Sequence, residues 1–193
     1  PPVLFQVWPG GGLRDHVANG YRQPLDDSIG DTIASIGATV NPWQVDGGTY
    51  GVPFTFGIEG FWYNTDLFAQ AGIDEVPTTL DELVDAVGAL REAGVTPIAV
   101  GAGDKWPAAH WGYQFARHSC SPETLQAAEA EADFSDDCWL EASEQLEAFL
   151  GITPFQEGFL GTPAQTGAGS PAGPVANGQA AMELMGHWNP GGL

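Results

Sequence analysis

The sequence predicts an α/β fold, and three observations carry that expectation. A capped amphipathic helix spans roughly Thr79–Gly94, a short apolar strand at Pro97–Val100 follows it directly, and further strand-like apolar runs stand at Phe54–Tyr63 and Ala181–Met185. Strand, helix and strand in succession are the pattern of a sheet layered against helices. The chain has 193 residues, room for one large domain or two small lobes, and 43% of them are hydrophobic, enough for a core.

Taken in order, Val3–Trp8 reads as a buried strand, Pro9–Gly12 as a turn, and Leu13–Asn19 as a short helix that ends at Gly20. Residues 24–48 read as irregular with weak helical stretches. The run Phe54–Tyr63 is interrupted by Gly57 and Gly60, and a strand with internal glycine bends or lets another group come close. Thr79 precedes Glu82 by three residues, the spacing of a capping box. Leu80, Leu83, Val84, Val87 and Leu90 then repeat on one helical face. Residues 107–118, 122–132 and 136–150 read as further helices, the last capped by Ser135 or Asp136. Gly161–Gly173 reads as a loop and Ala181–Met185 as a final strand.

Charge excludes several classes of function. Asp and Glu number 25 against 5 Lys plus Arg, a net charge of −20, and Lys105 is the single lysine. Such a field repels phosphate backbones and anionic lipid, so no nucleic-acid or membrane-surface binding is expected. The acidity fits either a salt-loving source, where screening makes it tolerable, or an exported protein with few lysines. No run of about 18 apolar residues exists to span a membrane. The opening residues do not read as a signal peptide, which implies prior processing or a fragment. Cys120 and Cys138 can bond, worth roughly 3 kcal/mol in an exported protein, or stay as two buried thiols.

Tryptophan is the strongest functional clue, with seven in the chain. Trp8 ends a predicted strand before Pro-Gly-Gly-Gly, Trp106 follows Gly103-Asp104-Lys105, and Trp188 follows a strand and Gly186-His187. Strand ends facing a crevice are where open α/β sheets place ligands. An indole covers the apolar C–H face of a sugar ring, and carboxylates accept from its hydroxyl rim. Glu59, between Gly57 and Gly60 in an apolar stretch, is the best acceptor candidate. Three other chemistries find less support. Pro9–Gly12 before a helix matches neither a Walker loop nor a dinucleotide fingerprint. His110, His118 and Cys120 match no metal-ligand spacing. A glycoside-processing enzyme needs a second acid in a setting like that of Glu59, and none stands in one.

Several short segments, in order along most of the chain, resemble the extracellular solute-binding proteins of ABC-type sugar importers, the maltose-binding-protein-like family. They are Pro2-Val3-Leu4-Phe5 up to Trp8-Pro9-Gly10-Gly11; Asp46-Gly47-Gly48-Thr49-Tyr50-Gly51-Val52-Pro53; Ile58-Glu59-Gly60-Phe61-Trp62-Tyr63-Asn64 with Asp66-Leu67-Phe68; Ala71-Gly72-Ile73 with Pro77-Thr78-Thr79-Leu80-Asp81-Glu82-Leu83; and Asn177-Gly178-Gln179-Ala180-Ala181-Met182 followed by Gly186-His187-Trp188.

The resemblance implies a two-lobed periplasmic-binding-protein-like fold with a hinge, here incomplete. Residues 1–57 would be part of the first lobe, 58–63 the hinge crossing, and 64–193 a second lobe incomplete at its C-terminal end. It implies an oligosaccharide receptor rather than an enzyme. Trp8, Glu59, Trp62 and Trp188 would be ligand-binding, joined by Trp106, His110 and Trp111 from a segment similar to an oligosaccharide-binding branch. No cofactor and no metal are expected. The implied partners are the sugar and the ABC permease subunits. The implied state is a monomer, lipid-anchored on the extracellular face or periplasmic. A glycoside-processing enzyme, or the same fold binding a non-sugar solute, is the alternative.

Overall fold

The computed structural model describes residues 4–164 and 169–191. It divides into two units, Pro1–Phe56 and Gly57–Leu193, each with its own sheet.

In the first unit, helix α1 (Gly11–Ala18) buries Leu13 completely. Helix α2 (Asp26–Ile36) leads through a 3-10 turn at Gly37–Trp43 to a hairpin of β1 (Gln44–Val45) and β2 (Gly48–Thr49). Its two-residue turn is Asp46-Gly47, both at positive φ (48° and 82°), the backbone that matches the twist of paired strands. Asp26 ties the hairpin to α2. Its Oδ2 accepts from the Thr49 amide at 2.8 Å, and that bond holds the Asp26 carboxyl below its ordinary range. The strand expected at Val3–Trp8 is not formed: Leu4 lies in a bend and residues 5–8 have no ladder, while Val3 lies outside the described residues. A strand needs a partner for its backbone groups, and an apolar run cannot by itself supply one. Phe5 instead lies 4.3 Å beneath the Arg22 guanidinium. The stretch 24–48, read as irregular, is ordered by α2 and the Asp46-Gly47 turn.

The second unit is built on a three-stranded sheet in the order β3 (Glu59–Tyr63), β5 (Ala180–Gly186), β4 (Thr96–Ala99). β3 runs antiparallel to β5, with Glu59 opposite Gly186 and Trp62 opposite Glu183. β4 runs parallel to β5. A parallel pair needs a long crossover, and here it carries α5 (Trp106–Ser119), α6 (Pro122–Glu131), α7 (Cys138–Gly151) and α8 (Ala172–Ala176). Between β3 and β4 lie α3 (Thr65–Gln70) and α4 (Leu80–Glu92). The capping box forms as its spacing predicts: Thr79 Oγ1 accepts from the Glu82 amide at 3.2 Å, and Glu82 Oε2 accepts from the Thr79 amide at 3.1 Å.

Leu83, Val87 and Leu90 of α4 meet Ile98, Trp111, Phe115, Phe149, Met182 and Leu184 in one core. Each such large side chain contributes about 1.5–3 kcal/mol on burial. Cys120 and Cys138 are bonded across 18 residues, joining the end of α5 to the start of α7. The loop they close contains α6, which buries no residue. The α7 cap differs slightly from expectation. Asp137 is the cap residue, and Asp136 Oδ1 accepts from the Cys138 amide at 2.9 Å.

Candidate functional site

The topology brings three chain segments to one end of the second unit's sheet. β4 and β5 are parallel, so their C-terminal ends lie together. β3 is antiparallel, so its first residue, Glu59, sits beside Gly186, the last of β5. The chain leaving β4 enters α5 at Trp106, and the chain leaving β5 turns at His187-Trp188. The C-terminal ends of sheet strands are the usual place for a ligand in such layers.

Four side chains meet there. The Trp106 and Trp188 ring centroids are 6.4 Å apart, and Trp106 stands edge-on to His110 at 5.3 Å. His110 Nδ1 lies 2.5 Å from Glu59 Oε1, an ion pair when the imidazole is protonated. Its other nitrogen, Nε2, is buried with no hydrogen-bond partner among the described residues. Trp188 is 45% exposed, leaving its indole open to a ligand. Trp106 and His110 are one helical turn apart, so they share a face of α5. Pro107 favours the helix start there. Lys105, immediately before, holds φ 70° and ψ −46°, a strained backbone for a residue with a side chain, of order 1–3 kcal/mol. Asp104 braces this corner, its Oδ2 accepting from the Ala164 amide at 2.7 Å.

Two glycines make room for the turn after β5. A Cβ on Gly186 would enter the Trp188 indole, and one on Gly57 would enter the His187 imidazole. Both rings therefore lie directly on backbone.

The other expected site residues fall elsewhere. Trp111 is 4% exposed, stacked on Phe149 at 5.2 Å in the core. Five residues past Trp106, it faces away from that residue's side of α5. Trp62 is three residues past Glu59 on a strand, hence on the opposite face, and its Nε1 donates to the Met185 carbonyl at 3.0 Å. Trp8 belongs to the first unit, where it is 75% exposed. Cys120, weighed as a metal ligand with His110 and His118, is spent in the disulfide. Sequence reasoning passed over Tyr113, 6.2 Å from the His110 ring and 61% exposed, although it stands at helical spacing from His110. It also passed over Glu183, the lone carboxyl of β5, which is 1% exposed and pushed up to about 7 by burial, with the Asn189 hydrogen bond opposing.

A cavity of about 340 Å³ opens beside β3, α4 and α5. Its lining is mainly apolar, including Phe61, Tyr63, Leu80, Phe115 and Leu184. Glu59, Thr78, Thr79, Gln114, His118 and Gln145 also line it, so it offers hydrogen-bonding groups beside its apolar walls.

With this geometry in place, comparison with known proteins identifies the class: residues 3–192 match the family model of the bacterial extracellular solute-binding proteins, and the chain belongs to that family. Among individual relatives, an uncharacterized ABC transporter extracellular-binding protein of Pyrococcus horikoshii is 32% identical over 112 residues, 56% of this chain and 25% of the relative. A solved structure from work on xylan utilization by the thermophilic bacterium Caldanaerobius polysaccharolyticus is 27% identical with TM-score 0.84, covering 97% of this chain and 47% of that one. A chitin oligosaccharide binding protein is 29% identical with TM-score 0.78, covering 95% and 45%. The mixed α/β fold is therefore that of the periplasmic-binding-protein architecture, and the chain spans about half the length of these solved relatives.

Proposed function

We propose that this chain is part of an extracellular receptor that binds an oligosaccharide and passes it to the permease subunits of an ABC importer, without catalysing a reaction on it. The observation that carries this reading is the cluster of Trp106, Trp188, Glu59 and His110 at one end of the sheet. Two indoles cover ring faces at low entropic cost, and a carboxylate beside them accepts from hydroxyl groups. Family membership and the solved relatives named for xylan utilization and chitin oligosaccharide support a sugar ligand. Trp8 is the first lobe's contribution. Residues 58–63 act as the hinge crossing between residues 1–57 and 64–193, and the ligand selects the closed form. The receptor works as a monomer, either periplasmic or held by a lipid anchor on the outer face.

Calorimetry of the intact protein with xylo-, chito- and other oligosaccharides tests this. Trp188→Ala and Glu59→Gln are each expected to weaken binding tenfold or more, about 1.4 kcal/mol. Unchanged affinity in both variants overturns the site, and no binding across the panel overturns the ligand class.

A further inference from the structure

β5 is buried along its whole length, yet in the run Ala-Ala-Met-Glu-Leu-Met it carries one carboxyl. Glu183 is 1% exposed. A carboxyl taken out of water costs stability unless something binds it, and an apolar residue would pack there without that cost. Its partner is Asn189, 6% exposed, whose Nδ2 donates to Glu183 Oε2 at 2.9 Å. The bond holds whether the carboxyl is ionised or not, because that oxygen accepts in both states.

The position of this bond is informative. Asn189 directly follows Trp188 and opens the short 3-10 turn Asn189–Gly191, where the Gly191 amide donates to the Trp188 carbonyl at 3.2 Å. Strand alternation puts Glu183 on the face opposite Leu184 and Met182, which line the cavity beside α4 and α5. The reversal after β5 therefore reaches Trp106 of α5 with its indole and Glu183 with its amide. The seats on Gly186 and Gly57 fix where the two rings rest. The buried Glu–Asn bond fixes the backbone that delivers them.

We infer that Glu183 and Asn189 form a bracket that sets the turn carrying Trp188, making Glu183 a positioning residue for ligand stacking that acts from inside the sheet. This rests on the reading of Trp188 as a ligand-stacking side chain. A bracket that holds the indole in place before the sugar arrives removes an ordering cost from binding.

The test uses the intact protein labelled with 5-fluorotryptophan, the Trp188 and Trp106 resonances being assigned by Trp188→Phe and Trp106→Phe. In ligand-free protein, Glu183→Leu and Asn189→Ala are expected to shift or broaden the Trp188 resonance, with a smaller change at Trp106, whose ring lies 6.4 Å away. Both are expected to weaken oligosaccharide binding fivefold or more, with no further loss in the double variant. Glu183→Gln, which keeps an acceptor for Asn189, is expected to retain the resonance and to bind within twofold of the parent. An unmoved Trp188 resonance in both disrupting variants overturns the inference, whatever happens to affinity. If Glu183→Leu does not fold, Asn189→Ala cuts the same bond from the turn and decides alone. Absence of sugar binding by the parent protein overturns the proposed function, while the ligand-free resonances still decide the bracket.

Discussion

The two units hold themselves together in different ways. The second has a continuous core and a disulfide between α5 and α7. The first buries only Leu13 and Val40 among its described apolar side chains, and is tied by polar contacts such as Asp26 to Thr49 and Arg22 to the Tyr50 carbonyl. The difference bears on binding. Glu59, Trp106 and His110 stand on elements rooted in a packed core, and Trp188 directly follows one, so the proposed site is held in place by the fold. Trp8, in the first unit, stands on a segment without a ladder and is 75% exposed.

The sharpest way to break that contrast is to cut each unit at its most buried aliphatic side chain. Leu90→Ala should destabilise the second unit by about 2–5 kcal/mol, read as a lower denaturation midpoint by tryptophan fluorescence. Leu13→Ala should leave that transition nearly in place, and an equal loss would show that the two units unfold as one. Next in size, replacing Cys120 and Cys138 by serine should cost roughly 3 kcal/mol. It should also raise protease cleavage within α6, which has no buried side chain to hold it.

Of similar size is the effect of pH at Glu183. Its folded carboxyl is raised from 4.5 to about 7 by burial, so the native state binds this proton more tightly than the unfolded chain. Its contribution is fully present below about pH 4.5, falls as pH rises, and is gone above about 7, a change of roughly 3 kcal/mol at 1.36 kcal/mol per unit. Urea melts from pH 5 to 7.5 should show this decline in the parent and not in Glu183→Gln. The smallest effect belongs to the α4 cap. Thr79→Ala should cost about 1 kcal/mol, seen as a small shift in the second unit's midpoint alone.

Much of this architecture was legible in the sequence where the signal was local. Thr79 with Glu82 and the 3.6-residue repeat of leucine and valine fixed α4, because a helix satisfies its own backbone. Residues 5–8 of the strand expected at Val3–Trp8 have no ladder, because strand formation depends on a partner that an apolar run does not reveal. The Asp46-Gly47 hairpin carried a recognised turn pair that was obscured by the weak pattern around it. At the site, residue type pointed to aromatics and a carboxylate, but not to which tryptophans share a face. Helical and strand spacing separates Trp111 from Trp106 and Trp62 from Glu59, and it was the spacing, more than the count of indoles, that carried the information. The Glu183–Asn189 bond was out of reach, since it joins two polar residues across a reversal that the sequence does not draw.

One feature at the mouth of α5 has a practical use. Lys105, the single lysine of the chain, is exposed and stands next to Trp106. Within these 193 residues, an amine-directed dye would modify one side chain, beside the indole that lies 6.4 Å from Trp188. A reporter placed there would stand at the rim of the proposed site, where a change in its light would report on whatever enters.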